Sequence, residues 1–85
     1  MASLTVSNVA AKGLEGVSFV GTRDGKAHEF MVPRESLEDL VYAVFEAPEA
    51  MLEAFGQQQE AVAKAAVQAL DGGASGSPIL LQTLI

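Results

Sequence analysis

Cysteine is absent from this 85-residue chain. Disulfides, cysteine-ligated iron–sulfur clusters, cysteine zinc sites and a thiol nucleophile are therefore excluded. Histidine occurs once, as His28. Basic residues are scarce and scattered: Lys12, Arg23, Lys26, Arg34 and Lys64 stand against 11 acidic residues, for a net charge of −6. Affinity for nucleic acid comes largely from Lys and Arg neutralising phosphates. Nucleic acid is therefore not an expected partner, and the overall field repels anionic membranes. No apolar run approaches the ~20 residues that span a bilayer. Residues 1–6 lack the basic stretch and apolar core of a signal peptide. A soluble, cytoplasmic protein with no membrane association is expected. Internal repeats and long low-complexity tracts are missing too, so residues 1–85 are expected to form a single domain.

Apolar residues make up 49% of the chain. That is ample for a core, although a chain of this length buries only roughly 60–65% of its unfolded surface. The strongest local signal is a hairpin. Val17, Phe19 and Gly21 alternate down to Asp24-Gly25, and His28, Phe30 and Val32 alternate away from it. A type I′ turn needs positive φ at both central residues, which Asp and Gly tolerate. The two-residue turn sets Arg23 opposite Lys26, Gly21 opposite His28, Phe19 opposite Phe30 and Val17 opposite Val32. One face then carries Val17, Phe19, Gly21, His28, Phe30 and Val32. The other carries Ser18, Val20, Thr22, Ala27, Glu29 and Met31. The first is the expected core face, centred on the Phe19–Phe30 pair. Leu4 and Val6, alternating with Ser3, Thr5 and Ser7, suggest a short earlier strand, and Asn8–Gly16 reads as its connection.

Pro33 ends the third strand and suits a helix start. Ser36 to Asp39 reads as a weak capping variant. Leu37, Leu40, Val41, Val44 and Phe45 follow the i, i+3, i+4, i+7, i+8 pattern, so the first helix is expected to reach Glu46 or Ala47. Pro48 opens a second helix, expected to run to about Leu70 with the stripe Met51, Leu52, Phe55, Val62, Ala66, Ala69 and Leu70. Gly56 weakens it and Gln59 interrupts its stripe. Asp71-Gly72-Gly73 stops it, with a glycine expected in the left-handed cap conformation. Ile79–Ile85 reads as a last strand.

The order β-β-β-α-α-β gives an α+β fold in two layers: an antiparallel sheet of about four strands with two helices packed on one face. Two antiparallel helices would return the chain to its starting end. The last strand is therefore expected to run against strand three, pairing antiparallel beside strand three or strand one. The sequence leaves both open.

Three blocks of residues carry a resemblance. The first is Val17-x-Phe19, Asp24-Gly25 and Phe30-x-Val32-x-x-Glu35-x-Leu37. The second is Phe55 followed by Val62 and Ala66. The third is Leu81-x-Thr83. In this order and spacing the chain, from about Val17 onward, resembles the small bacterial family known as domain of unknown function 1488. The resemblance implies an α+β fold and no established activity. Basic or His-like residues often follow the helical Phe in that family, where Gln58 and Gln59 stand here. An acidic residue often lies near its final strand's end, where Leu84 and Ile85 stand here.

No residue pattern specifies catalysis, a cofactor or a metal. His28 lies opposite Gly21 at the turn end of the core face, and Glu29 points to the other face, so the two do not form a dyad. Glu35, Glu38, Asp39, Glu46, Glu49, Glu53 and Glu60 fall mostly on outward helical faces, and no calcium-loop spacing is present. The run Gly72–Ser77 follows a helix and precedes a strand, the reverse of a phosphate loop. Ser36, Ser75 and Ser77 lack a nucleophile-elbow context. Phe19, Phe30, Phe45 and Phe55 fall on core stripes, with Tyr42 beside one. From these readings a non-enzymatic interaction or accessory module is expected, with a protein partner or self-association through a surface or an open sheet edge. The alternative is a regulator linked to a small ligand or nucleic acid, using the helix–sheet cleft or the hairpin tip at Arg23 and Lys26.

Overall fold

The structure, a computed structural model, describes residues 4–74, 76 and 78–82. Within them the chain forms β1 (Thr5–Ala11), β2 (Gly16–Arg23), β3 (Lys26–Pro33), α1 (Arg34–Val41), α2 (Pro48–Gln57), α3 (Gln59–Asp71) and β4 (Ile79–Leu80). The four strands lie side by side in chain order. The fold is α+β, with the helices covering one face of the sheet.

The hairpin forms in the expected register. Arg23 faces Lys26, Gly21 faces His28, Phe19 faces Phe30 and Val17 faces Val32. Asp24 and Gly25 take φ of 54° and 78°, as a type I′ turn requires. The Phe19 and Phe30 rings stack with centroids 5.1 Å apart, and Phe55 of α2 tilts onto Phe19 at 5.3 Å. Val17, Val32, Leu37, Met51 and Val62 complete the buried core around them. Gly21 leaves room for that packing. A Cβ there would lie 2.8 Å from both Leu4 Cδ2 and Phe30 Cε2.

The first strand is longer than its alternation suggests. Asn8, at φ 53°, sits in an irregularity between Ser7 and Ala10, after which pairing with β2 resumes at Ala10 and Ala11. Asn enters the left-handed region more readily than most side chains. The bulge breaks the two-residue period, which is why Asn8–Ala11 reads as a connection. Ser3 lies outside the described residues.

The expected single second helix is two helices. Gln58, at φ −109° and ψ 19°, separates α2 from α3. Its N–H is shared between the carbonyls of Ala54 and Phe55, at 3.0 and 3.1 Å. The break falls between the two weak points of the sequence, Gly56 and Gln59. Met51, Ala54 and Phe55 are buried on one side of it, Val62 and Ala66 on the other. At the far end Gly73, at φ 83°, closes α3 with paired bonds. Gly73 N–H donates to the Leu70 carbonyl at 3.1 Å, and Ala74 N–H to the Ala69 carbonyl at 2.9 Å. This is a Schellman cap.

The last strand runs in the direction opposite to the expected one. Phe30 pairs with Ile79 and Met31 with Leu80 in parallel, not antiparallel, so the sheet is mixed. The reason is the return path. Helix α1 starts where β3 ends, and α3 ends at the opposite, hairpin end of the sheet. Asp71 there meets Arg23 at 2.8 Å. The chain therefore leaves the helices at the end where β3 began, so β4 runs alongside it. Leu81 N–H continues the ladder to the Met31 carbonyl at 2.9 Å. Ile79 and Leu81 are buried, so the C-terminal segment belongs to the core. The expected extension of the strand through Thr83–Ile85 lies outside the described residues. Ser36 does not cap α1. It lies within the helix, and its hydroxyl donates to the Gln82 carbonyl at 2.6 Å.

Candidate functional site

Helix α1 ends well before Ala47. Tyr42 takes the left-handed conformation, φ 55° and ψ 47°, and its N–H closes on the Glu38 carbonyl. Ala43 N–H reaches the same carbonyl at 3.2 Å. The Glu38 carboxylate then accepts the Phe45 N–H at 2.9 Å. Arg34 Nε lies 3.8 Å from that carboxylate, one helical turn before it. Glu38 thus ties down three points of the loop, at Tyr42, Ala43 and Phe45. Ala47 is extended, as the residue before a proline prefers, and Pro48 starts α2.

This route buries Phe45 and turns its neighbours outward. Tyr42 is 90% exposed and Val44 81%, the two most exposed of the large hydrophobic residues described. Both border an open hollow of about 570 Å³ with Glu38, Asp39 and Ala43. Helical periodicity assigned Val44 to the core stripe, and that assignment is wrong because the helix stops three residues earlier. The Pro48 restriction acts on Ala47 alone and does not mark an end as early as Val41. Nothing local marks Tyr42 as the residue that turns left-handed.

A second surface is the sheet face opposite the helices. Ser18, Val20, Thr22, Ala27, Glu29 and Met31 occupy it as expected, half-buried or exposed. A depression of about 310 Å³ on it is edged by Asn8, Lys12, Ser18, Val20, Glu29 and Pro78. Its mixture of small polar and apolar side chains is ordinary for an antiparallel face in water. The helix–sheet interface, by contrast, is packed with Phe19, Phe30, Leu37, Met51 and Phe55 rather than open as a cleft. The hairpin tip is less basic than its sequence, because Arg23 is engaged by Asp71.

His28 is half-buried at the rim of the core face, its ring 6.3 Å from that of Phe30. Ser36 is buried and donates to backbone, and Ser75 and Ser77 lie outside the described residues. Among the described residues no group of three or more His, Asp or Glu could hold a metal ion. No helix among them is long and apolar enough to cross a membrane. Exposed aromatic and aliphatic surface beside carboxylates is what the described site offers.

Comparison with known proteins places the fold and leaves the role open. A crystal structure of a protein of unknown function from Shewanella loihica PV-4, of the DUF1488 family, superposes with a TM-score of 0.76. That match has 15% sequence identity and covers 95% of this chain and 93% of the other. At that identity the likeness is one of fold. No curated protein matches the sequence significantly. The family model described as "Protein of unknown function (DUF1488)" matches residues 11–81, which takes in the hairpin, all three helices and the buried C-terminal segment. The chain belongs to the DUF1488 family.

Proposed function

We propose that this chain is a non-enzymatic interaction module that binds a protein partner through the Tyr42–Val44 loop. The observation that supports it is the conformation of Tyr42. A left-handed backbone costs an L-residue roughly 1–2 kcal/mol, and glycine is the usual residue at such a helix end. A tyrosine there would be repaid by burying its ring, but this ring is 90% exposed. Neither backbone preference nor core packing in the free chain accounts for it. Tyrosine at the centre of a contact does, because it covers much area for little lost side-chain freedom. Val44 adds a second unburied apolar group beside it, and Glu38 holds both in place. A preformed loop loses less freedom on binding than a mobile one.

The test is a paired affinity purification from cells of the source organism, with nuclease treatment. The native chain is compared with a Tyr42→Ser, Val44→Ser variant. Both positions are exposed, so the variant should fold. At least one protein should be retained by the native chain after nuclease treatment and lost by the variant. An identical set of proteins on both would refute the proposal.

A further inference from the structure

We infer that the segment docking on the Tyr42–Val44 loop is basic, a stretch of partner chain carrying Lys or Arg beside an apolar side chain. The inference rests on the interaction-module reading and names the chemistry of its partner. Charge complementarity carries it. Every charged residue from Glu35 to Glu53 is acidic: Glu35, Glu38, Asp39, Glu46, Glu49 and Glu53. Two of these, Glu38 and Asp39, border the same hollow as Tyr42 and Val44. The exposed Tyr42 ring offers a π face, which attracts a guanidinium or ammonium group. The exposed Asp39 carboxylate attracts the same cation, so the two terms act on one group of the partner, while the Glu38 carboxylate is already engaged by the Phe45 N–H and Arg34. Val44 then requires an apolar neighbour, which a purely ionic ligand does not supply.

The same charges argue against other occupants. A phosphate backbone would meet carboxylates at the loop and gain no counterion release from it. A second copy of this chain would bring an equally acidic loop. Its own cations do not supply a matching stripe, since Arg23 is engaged by Asp71 and Arg34 lies beside Glu38. Lys12, Lys26 and Lys64 belong to a loop, a strand and a helix far apart in sequence.

The experiment is a titration of the full, isotope-labelled chain with defined peptides, read by amide chemical shifts. The probe is a peptide of about 12 residues repeating Lys-Leu-Arg-Ala, with controls in which Gln or Glu replaces every Lys and Arg. Shifts should centre on Tyr42–Phe45 with the basic peptide. The affinity should fall about tenfold or more in Tyr42→Ser, be retained in Tyr42→Phe, and weaken as salt rises from ~50 to ~300 mM. Equal binding of the Gln peptide, or no effect of salt, would overturn the basic-partner inference. So would the absence of loop shifts with the basic peptide, or loop shifts that grow with protein concentration alone. None of these outcomes decides the interaction-module reading, which the paired purification judges separately.

Discussion

The Glu38 carboxylate accepts the Phe45 backbone N–H at 2.9 Å, and this contact sets which side chains of the α1–α2 loop face inward. The same residue's carbonyl receives the N–H groups of Tyr42 and Ala43. With Phe45 drawn into the core, Tyr42 and Val44 are left outside.

Glu38→Ala removes a charge-assisted bond to a part-buried N–H. It should cost about 1.5–3 kcal/mol in denaturant melts. Hydrogen exchange at the Phe45 amide should accelerate more than at amides of the β2–β3 hairpin. Undiminished protection of Phe45 would show that something other than the carboxylate holds the loop.

Tyr42→Gly separates stability from contact. Glycine relieves the left-handed backbone and removes almost no buried surface, while adding freedom to the unfolded chain. Stability should be unchanged or rise by up to ~1 kcal/mol. A loss above ~2 kcal/mol would mean that the ring supports the fold, contrary to its exposure.

Substitutions on the two faces of β2 should differ sharply. Phe19→Ala or Phe30→Ala opens a cavity in the stacked aromatic centre and should cost roughly 3–5 kcal/mol. Val20→Ala, on the face without helices, should cost much less. Equal losses at Phe19 and Val20 would contradict the one-sided core.

The C-terminal segment is the least conspicuous part of the core. Ile79 and Leu81 are buried, and the Gln82 carbonyl accepts the Ser36 hydroxyl. Deleting residues 77–85 strips an edge from the sheet and uncovers β3, so cooperative unfolding should be lost. A truncated chain melting cooperatively at nearly the native temperature would refute this role.

The hairpin was legible because its signal is local. Asp24-Gly25 dictates the turn, the turn dictates register, and register places Phe19 against Phe30. The direction of β4 was not legible, because it depends on the end of the sheet at which α3 finishes, and the contact of Asp71 with Arg23 puts that at the hairpin end. The break at Gln58 was not legible either, because it lies inside a pattern that helical periodicity reads as continuous. Phe55 and Val62 are seven residues apart, a spacing that one straight helix would also satisfy. The loop was missed for a related reason. Val44 and Phe45 both extend the apolar stripe of α1, and only the tertiary contact between Glu38 and Phe45 decides that one goes in and the other out. Periodicity locates candidates for burial but does not choose between neighbours once the helix has ended.

The most direct measurement is the amide spectrum of the isotope-labelled chain in a nuclease-treated extract of its source organism. Partner binding broadens the amides it contacts. Selective broadening at Tyr42–Phe45 and Asp39, absent in the Tyr42→Ser, Val44→Ser variant, is the expected result. Broadening centred instead on Val20, Met31 and Leu80 would assign binding to the open sheet face. That result, or a spectrum unchanged from buffer, would contradict the account.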